Sequence, residues 1–297
     1  MVAGGWGRGN VRKERAVSDH AVATVSSPTG IGLICQQNHF LLRRLHSLSG
    51  IIPIGGFVAF HLFTNMQMLF GSFQHEVNFI HNMPALLFME IGVLWLPILF
   101  HAVLGVIYTF SGVPNSVAYH NADNWRYTMQ RVTGVLAFIF IVLHVVVLRW
   151  RWNVLGWYTP FFSKGVSDTG MVVDLAHYST AVALSKWPVV VLYVAGVLSV
   201  VYHFANGLWT AAITWGATVS VAAQKRWGYA CIVVFLALTT FGLTAVYAAA
   251  AYKDHAPAEQ VKAYERMQAD YTAGKLNFET LEHIAVAPTG SVVKLEH

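Results

Sequence analysis

The sequence predicts an all-α fold, an integral membrane bundle of five transmembrane helices. Of its 297 residues, 56% are apolar and only 11% are charged, whereas about 25% charged residues is usual for a soluble domain. Five apolar stretches each approach the roughly 20 residues that cross a bilayer as a helix. A third observation, one histidine inside each of four of these stretches, indicates what the bundle holds.

The spans and the flanking segments follow from the hydrophobic pattern. The predicted spans are residues 45–70, 85–110, 132–148, 188–215 and 229–252. Pro188 suits the first turn of the fourth helix. The resulting division is a polar basic N-terminal extension (1–42), a membrane domain (43–252) and a C-terminal tail (253–297). Within the tail, residues 257–271 predict a short surface helix that lies on the membrane or on the tail itself.

Lysine and arginine placement predicts the orientation. Basic residues occur in the N-terminal segment and in the second and fourth loops, which share one side of the membrane: Arg8, Arg12, Lys13, Arg15, Arg43, Arg44, Arg126, Arg131, Lys225 and Arg226. The first loop on the other side, residues 71–84, has no lysine or arginine. The longer third loop on that side has four, which weakens the contrast between the two sides. We therefore expect a cytoplasmic N-terminus and, with five spans, a C-terminus outside.

Several classes of chemistry are excluded by what the sequence lacks. Cys35 and Cys231 have no metal-like spacing, so neither an iron–sulfur site nor a disulfide framework is indicated. No glycine-rich fingerprint for a nicotinamide or flavin occurs, and nothing favours nucleic-acid binding. We assign no catalytic residue, and expect electrons to be exchanged with another subunit and with a lipid-soluble carrier.

The four intramembrane histidines are His61, His101, His144 and His203. An ionisable side chain in the hydrocarbon region is costly and usually marks a functional site. Neutral imidazole is a common iron ligand, and haem between two histidines needs ligands from facing helices. Four ligands predict a bundle enclosing two b-type haems. The alternative is that each histidine is a buried imidazole bonded to a backbone carbonyl.

Helical rise predicts how the histidines pair. His61 and His144 lie nearer the outer face and are assigned to a distal haem. His101 and His203 lie deeper, towards the cytoplasm, and are assigned to a proximal haem. Gly105 and Gly207, each four residues after a proximal histidine, either leave room for the macrocycle or only allow close helix packing.

Haem propionates need cationic or hydrogen-bonding partners. Candidates on the cytoplasmic side are Arg44, His46, Gln130 and Arg131, and those on the outer side are Arg149 and Arg151. Ordinary anchoring at the membrane interface is the competing explanation for all of them.

The residues around the histidines resemble a known family. The motifs are RRLHS at residues 43–47, HAVLGV at 101–106, QRVTG at 130–134 and HFANGLW at 203–209. Together they resemble the di-haem cytochrome b membrane anchor of succinate dehydrogenase and quinol:fumarate reductase (complex II), in its single-chain type with five spans. The resemblance covers about residues 40–252, and leaves out the N-terminal extension and the tail.

The resemblance implies the same haem ligands, His101 with His203 and His61 with His144. It also implies a bacterial cytoplasmic membrane and two partners on the cytoplasmic face, a flavoprotein subunit with FAD and an iron–sulfur subunit. Electrons from succinate would pass through the proximal and then the distal haem to a quinone, usually menaquinone. Fumarate reduction would use the reverse route.

A quinone that gains two electrons also gains two protons, so a titratable group is expected near the distal haem. The candidates are His75, Glu76, His81 and Glu90. Alternatively, the first three are solvated loop residues, as are His39, His120 and His177, and Glu90 is a favourable charge at a helix N-terminus.

Some family members carry an acid beside the proximal ligand, which relays protons across the membrane. Here residues 199–202, directly before His203, include none, so we expect electron transfer to be electrogenic. Two rival functions stay open: a di-haem quinol-oxidising subunit of another respiratory enzyme, and a haem-free anchor or transporter whose histidines relay protons.

Overall fold

The computed structural model describes residues 38–111, 122–151 and 161–294. The chain divides into two units, Met1–Arg43 and Arg44–His297. Of the first unit, only residues 38–43 are described, and they open the first long helix. Arg8, Arg12 and the other cations before residue 38 lie outside the described residues.

Five helices of the described chain are long and apolar enough to cross a membrane, which confirms the predicted number. Spans one to five are His39–Phe70, Leu86–Ser111, Asn124–Leu148, Trp187–Thr214 and Val221–His255. Spans three and five begin earlier than predicted. The residues that these helices add before the predicted starts include Arg126, Arg131, Lys225 and Arg226. Their long side chains can reach the interface from inside a helix.

Two spans contain π-helical turns beside prolines. Span one runs as α-helix His39–Ser49, π-helix Gly50–Gly55, α-helix Gly56–Met66 and 3₁₀-helix Gln67–Phe70; span two runs as Leu86–Phe88, π-helix Met89–Trp95 and Leu96–Ser111. Pro53 lies inside the first π-helical turn, and Pro97 follows the second. Proline has no N–H to donate, and π-helical turns are frequent at functional sites.

The other three spans are regular helices. The α-helical segments are Ala122–Leu148, Trp187–Thr214 and Val221–Tyr252, the last continued by the 3₁₀ turn Lys253–His255. Pro188 lies in the first turn of span four, as predicted. Ser220 caps span five, because its side chain accepts a hydrogen bond from the Ala223 N–H.

The connections after spans one, three and five gather at one end of the bundle, the tail side; the opposite end is the amino side. The elements there are α1 (Phe73–His81), β1 (Lys164–Val166), β2 (Val172–Asp174), α2 (Ala176–Ala183), α3 (Ala258–Thr272) and α4 (Phe278–Val286). Strands β1 and β2 pair antiparallel, with Gly165 opposite Val173. This small hairpin is the one described addition to the all-α fold.

The tail packs with the third loop into a cap, here residues 161–184 and 256–294. Its core contains Phe162, Leu175, Tyr264, Met267 and Ile284, each almost fully buried. The predicted helix at residues 257–271 is confirmed as α3, but it packs inside the cap because one face of α3 is apolar. The lipid-facing sides of the spans are apolar, as an integral membrane protein requires.

Candidate functional site: two histidine pairs and a charged cluster

The four intramembrane histidines lie in two pairs. The ring centroids of His61 and His144 are 5.7 Å apart, and the ring planes cross at 85°. Those of His101 and His203 are 6.1 Å apart and cross at 86°. Spans one and three supply the first pair, and spans two and four supply the second.

The spacing within each pair fits one metal ion. Metal–imidazole nitrogen bonds are about 2.0–2.1 Å long, and the ring centre lies roughly 1.1 Å behind the nitrogen. Two rings on opposite sides of one ion therefore have centroids roughly 6 Å apart. No cluster of three or more His, Cys, Asp or Glu able to hold a metal occurs among the described residues, but a bis-histidine haem needs only two protein ligands.

In the proximal pair, backbone carbonyls engage the Nδ1 atoms. His101 Nδ1 lies 2.9 Å from the His46 carbonyl oxygen, and His203 Nδ1 lies 3.0 Å from that of Gln130. Both bonds connect neighbouring spans. An imidazole that ligates a metal typically donates its other N–H in this manner, which fixes the tautomer and leaves Nε2 for the metal.

In the distal pair, a side chain takes this part for His144. His144 Nδ1 lies 3.1 Å from the Tyr193 hydroxyl, and Tyr193 is buried. Asn65 donates to the His61 carbonyl oxygen at 2.7 Å, and its amide nitrogen also lies 3.4 Å from His61 Nδ1. The two pairs thus differ in the groups that contact their Nδ1 atoms.

Two glycines pack directly against the proximal rings. An added Cβ on Gly50 would lie 2.5 Å from His101 Cε1, and one on Gly134 would lie 2.9 Å from His203 Cε1. By contrast, a Cβ on Gly105 or Gly207 would only make ordinary contacts at 3.5 Å. The close contacts to the histidines therefore come from the glycines on the facing spans.

Two of the amino-side propionate candidates, His46 and Gln130, contact the proximal pair. Gln130 donates to the His203 carbonyl oxygen and accepts from Asn206 at 2.7 Å, so its amide joins spans three and four. Arg131 donates to the Tyr108 carbonyl oxygen at 3.0 Å. The Arg44 guanidinium lies over the Trp215 ring.

His46 fits an additional polar group at this end. Its ring stacks on that of His101, with centroids 3.9 Å apart. Its buried Nδ1 has no hydrogen-bond partner among the described residues. A buried polar atom without a partner is uncommon, and a haem propionate would satisfy it.

On the tail side, Glu90 is paired with Arg149. Arg149 donates from Nη2 to Glu90 Oε2 at 3.1 Å and from Nε to Oε1 at 3.3 Å, a two-point fork. The cap adds Glu282, whose Oε1 lies 3.5 Å from Arg149 Nη1 and 3.8 Å from Arg151 Nη2. Arg149 and Arg151, the outer propionate candidates, thus have carboxylate partners from the protein.

Arg151 has an unusual backbone at this junction. Its φ is +59°, rare for a residue with a side chain, and Tyr271 donates to its carbonyl oxygen at 2.9 Å. Burial lowers the pKa of Arg151 from its ordinary value, while the charge of Glu282 raises it.

Of the first-loop quinone candidates, His81 belongs to this charged cluster. Burial lowers the pKa of His81; its bond to the Val77 carbonyl and the charge of Glu282 act in the opposite direction, and Arg149 and Arg151 lower the pKa further. His75 is exposed and Glu76 is half-buried on the same helix, α1. Thus Glu90 and His81 are near the same arginines.

The expectation that all loop histidines are solvated was wrong for His81 and His177. His177 stacks on Tyr252 with centroids 3.7 Å apart, because α2 packs against the end of span five. Burial lowers the pKa of His177. His39 and His75 are exposed as expected, and His120 lies outside the described residues.

Comparison with known proteins decides the family. The chain is 35% identical over 211 residues to the succinate dehydrogenase cytochrome b558 subunit of Bacillus subtilis, a match that covers 70% of this chain and 96% of that protein. No protein-family profile matches the chain.

The chain belongs to the succinate dehydrogenase cytochrome b family.

It is therefore a subunit of an enzyme complex. Its five long apolar helices fit a multi-pass membrane protein. A cytochrome b carries haem. Among the described residues, the two histidine pairs have a spacing that fits haem iron.

Sequence reasoning missed several residues of this cytochrome b that the structure brings to the histidines. These are Gly50, Asn65, Gly134, Tyr193 and Asn206 around the pairs, and Glu282 on the tail side. Asn65 and Asn206 had a usable local signal, because each lies about one helical turn after a histidine, His61 or His203. The other residues lie on different elements from the groups they contact, and these contacts depend on how the helices pack.

Proposed function

We propose that this cytochrome b is the di-haem anchor that carries electrons between the iron–sulfur subunit of complex II and menaquinone, in either direction. The observation that carries the proposal is the presence of two histidine pairs, each at the spacing for one iron, in a chain of this family. When bound, each haem supplies an iron centre that exchanges one electron at a time.

The chain's own residues bind and orient these groups. His101 and His203 are the proposed proximal ligands, and His61 and His144 are the proposed distal ligands. The oxygen atoms that face Nδ1 of His101, His203 and His144 can accept a hydrogen bond from Nδ1–H, which holds these three rings in one tautomer and raises their basicity. Arg44, His46, Gln130 and Arg131 are the proposed hydrogen-bonding and cationic partners of the propionates of the proximal haem.

The amino side is the proposed cytoplasmic face and docking face. Arg44, Arg126, Arg131, Lys225 and Arg226 lie at this end, and the basic bias predicts that it is cytoplasmic. The iron–sulfur subunit, with the FAD-containing flavoprotein behind it, would dock there, and dicarboxylate chemistry would stay on those partners. The cap would then lie outside.

The proposed quinone site is on the tail side, near the distal pair. Glu90 and His81 are the favoured groups for proton transfer. Glu90 forms an ion pair with Arg149, and the charge of Arg149 acts on the pKa of His81. His75 is a weaker candidate because it is exposed, and Glu76 is weaker because no contact with Arg149 is seen for it among the described residues. A carboxylate near the end of the bundle can accept a hydrogen bond from a quinol hydroxyl and pass the proton to the aqueous side.

Spectra of single histidine variants of the isolated complex test the haem proposal. We expect His61→Ala and His144→Ala to remove the same haem from the reduced-minus-oxidised spectrum, and His101→Ala and His203→Ala to remove the other. His75→Ala is the matched control and should keep both. Absence of protoporphyrin from the wild-type chain, or loss of the same haem in His61→Ala and His101→Ala, would refute the assignment.

A further inference from the structure

The cap reaches back to the membrane bundle at the proposed quinone site. Helix α4 carries Glu282, which contacts arginines at the end of span three, and one of these arginines binds Glu90 in span two. Residues more than 130 positions apart in the chain are therefore joined by one ionic chain. Burying α4 against the cap core through Leu281 and Ile284 fixes the point from which Glu282 projects.

The contacts hold Arg149 from two sides. On one side its guanidinium forms the two-point fork with Glu90 at 3.1 and 3.3 Å. On the other side, Nη1 faces Glu282 Oε1 at 3.5 Å. The ring of Phe278, one turn before Glu282 on α4, lies 5.6 Å from Arg149 Cζ, within cation–π range.

Charge balance gives Glu282 a second effect. Arg149 and Arg151 together carry two positive charges, and Glu90 and Glu282 carry two negative charges. Without Glu282, the cluster would hold one uncompensated cation beside Glu90, and Arg149 would be fixed from one side only. Arg151 is itself well buried, so its charge cannot be screened by turning into water.

We propose that Glu282 is a positioning residue of the quinone site: the cap uses it to hold Arg149 on Glu90 and to balance the charge there. This inference rests on the proposed function and assigns the C-terminal tail a part in it. Glu282 does not itself touch the quinone; it acts through Arg149.

A purely structural tether between cap and bundle is the competing explanation. It would affect assembly or heat stability, but it would leave KM for the quinone unchanged in the complex that does assemble. Positioning predicts a different result. If Glu282 holds Arg149 at the quinone site, its removal should raise KM for the quinone while kcat and the haem content stay near the wild-type values.

The experiment compares Glu282→Gln with Glu279→Gln in the intact complex, with a water-soluble menaquinone analogue as acceptor. Glu279 is the matched control, since it is an exposed glutamate on the same helix. For Glu282→Gln we expect KM for the quinone to rise about two- to fivefold, as for loss of a partly exposed ion pair. We expect kcat and the haem content to stay near the wild-type values, because Glu282 acts through Arg149 and not in electron transfer.

Glu282→Asp keeps the charge with a shorter reach, so its KM should lie between those of the wild type and Glu282→Gln. It also replaces Glu282→Gln as the test if that variant does not assemble. A wild-type KM in the variants, or an equal rise in Glu279→Gln, would overturn the inference. A wild-type complex with full haem content but no quinone reductase activity would instead overturn the proposed function.

Discussion

Hydrogen bonds at the Nδ1 atoms distinguish the two histidine pairs. In the proximal pair both Nδ1 atoms face backbone carbonyls, which cannot be removed by substitution of a side chain. In the distal pair His144 Nδ1 faces the Tyr193 hydroxyl at 3.1 Å. The distal site can therefore be altered through one phenolic oxygen while the ligands stay in place.

Tyr193→Phe should raise the midpoint potential of the haem that His144 ligates. Without the hydroxyl as acceptor for its Nδ1–H, the imidazole is less basic and stabilises ferric iron less. Loss of a hydrogen bond of about 0.5–1.5 kcal/mol sets an upper range of roughly 20–60 mV for a one-electron couple. Redox titration followed by the haem absorption measures the shift.

Tyr229→Phe provides the matched control for this titration, because Tyr229 is an exposed tyrosine on span five. Its two haem potentials should equal those of the wild type. A Tyr193→Phe complex with unchanged potentials, or with a shift confined to the other haem, would contradict the assigned pairing of Tyr193 with the distal ligand.

The four intramembrane histidines could be identified from the sequence, but most of the residues that contact them could not. His61, His101, His144 and His203 stand out because an ionisable residue in an apolar stretch is rare. Tyr193 looks like any aromatic residue of a membrane helix. Tyr193 matters because its hydroxyl contacts His144, which lies 49 positions earlier in the chain. No local spacing in the sequence encodes how span four is rotated against span three.

Glycines on the facing spans shape the proximal site. Gly134 on span three borders His203, and Gly50, which opens the π-helical turn of span one, borders His101. Proline at residue 53 prevents a regular hydrogen-bond ladder in that turn. The helix irregularity and the close approach of span one to the ring therefore occur at the same place.

Gly134→Ala should weaken binding of the proximal haem and leave the distal haem in place. The added Cβ would lie 2.9 Å from His203 Cε1 and 3.1 Å from Nδ1, which forces the ring to shift. Overpacking typically costs about 1–3 kcal/mol, or roughly five- to 150-fold in haem affinity. The haem content per polypeptide and the remaining potential measure the effect.

Gly56→Ala is the control for added volume in a span, since its Cβ would meet nothing within 4 Å. It should retain both haems. If Gly134→Ala removed the distal haem, or if both variants lost haem equally, the proposed contact between Gly134 and the proximal ligand would not explain the result.

Hydropathy identified the spans because each is long enough to register over a 20-residue window. It could not identify the π-helical turns, which depend on proline and on packing, or strands of three residues such as β1. The same limit applied to the glycines. Spacing along one helix pointed to Gly105 and Gly207, whereas the close contacts come from Gly50 and Gly134 on other helices.

Acidic residues are placed very unevenly across the molecule. Within the five spans the only carboxylates are Glu90 and Asp254, and both lie at the tail side. Residues 199–202, before His203, carry none, and the Ser199 hydroxyl is bonded to the Ala195 carbonyl oxygen. The spans therefore contain no carboxylate relay that could carry a proton alongside each electron from one side to the other.

Electron transfer through this molecule should consequently be electrogenic. With the amino side in the cytoplasm, electrons from succinate move outward, in the direction that a negative interior favours, at about 2.3 kcal/mol per charge per 100 mV. In sealed energised vesicles an uncoupler should slow succinate oxidation by a low-potential menaquinone analogue. It should not affect reduction of an artificial acceptor that takes electrons directly from the partner subunits. Equal rates of quinone reduction with and without uncoupler would show that protons cross with the electrons, by a route that does not use carboxylates of the spans.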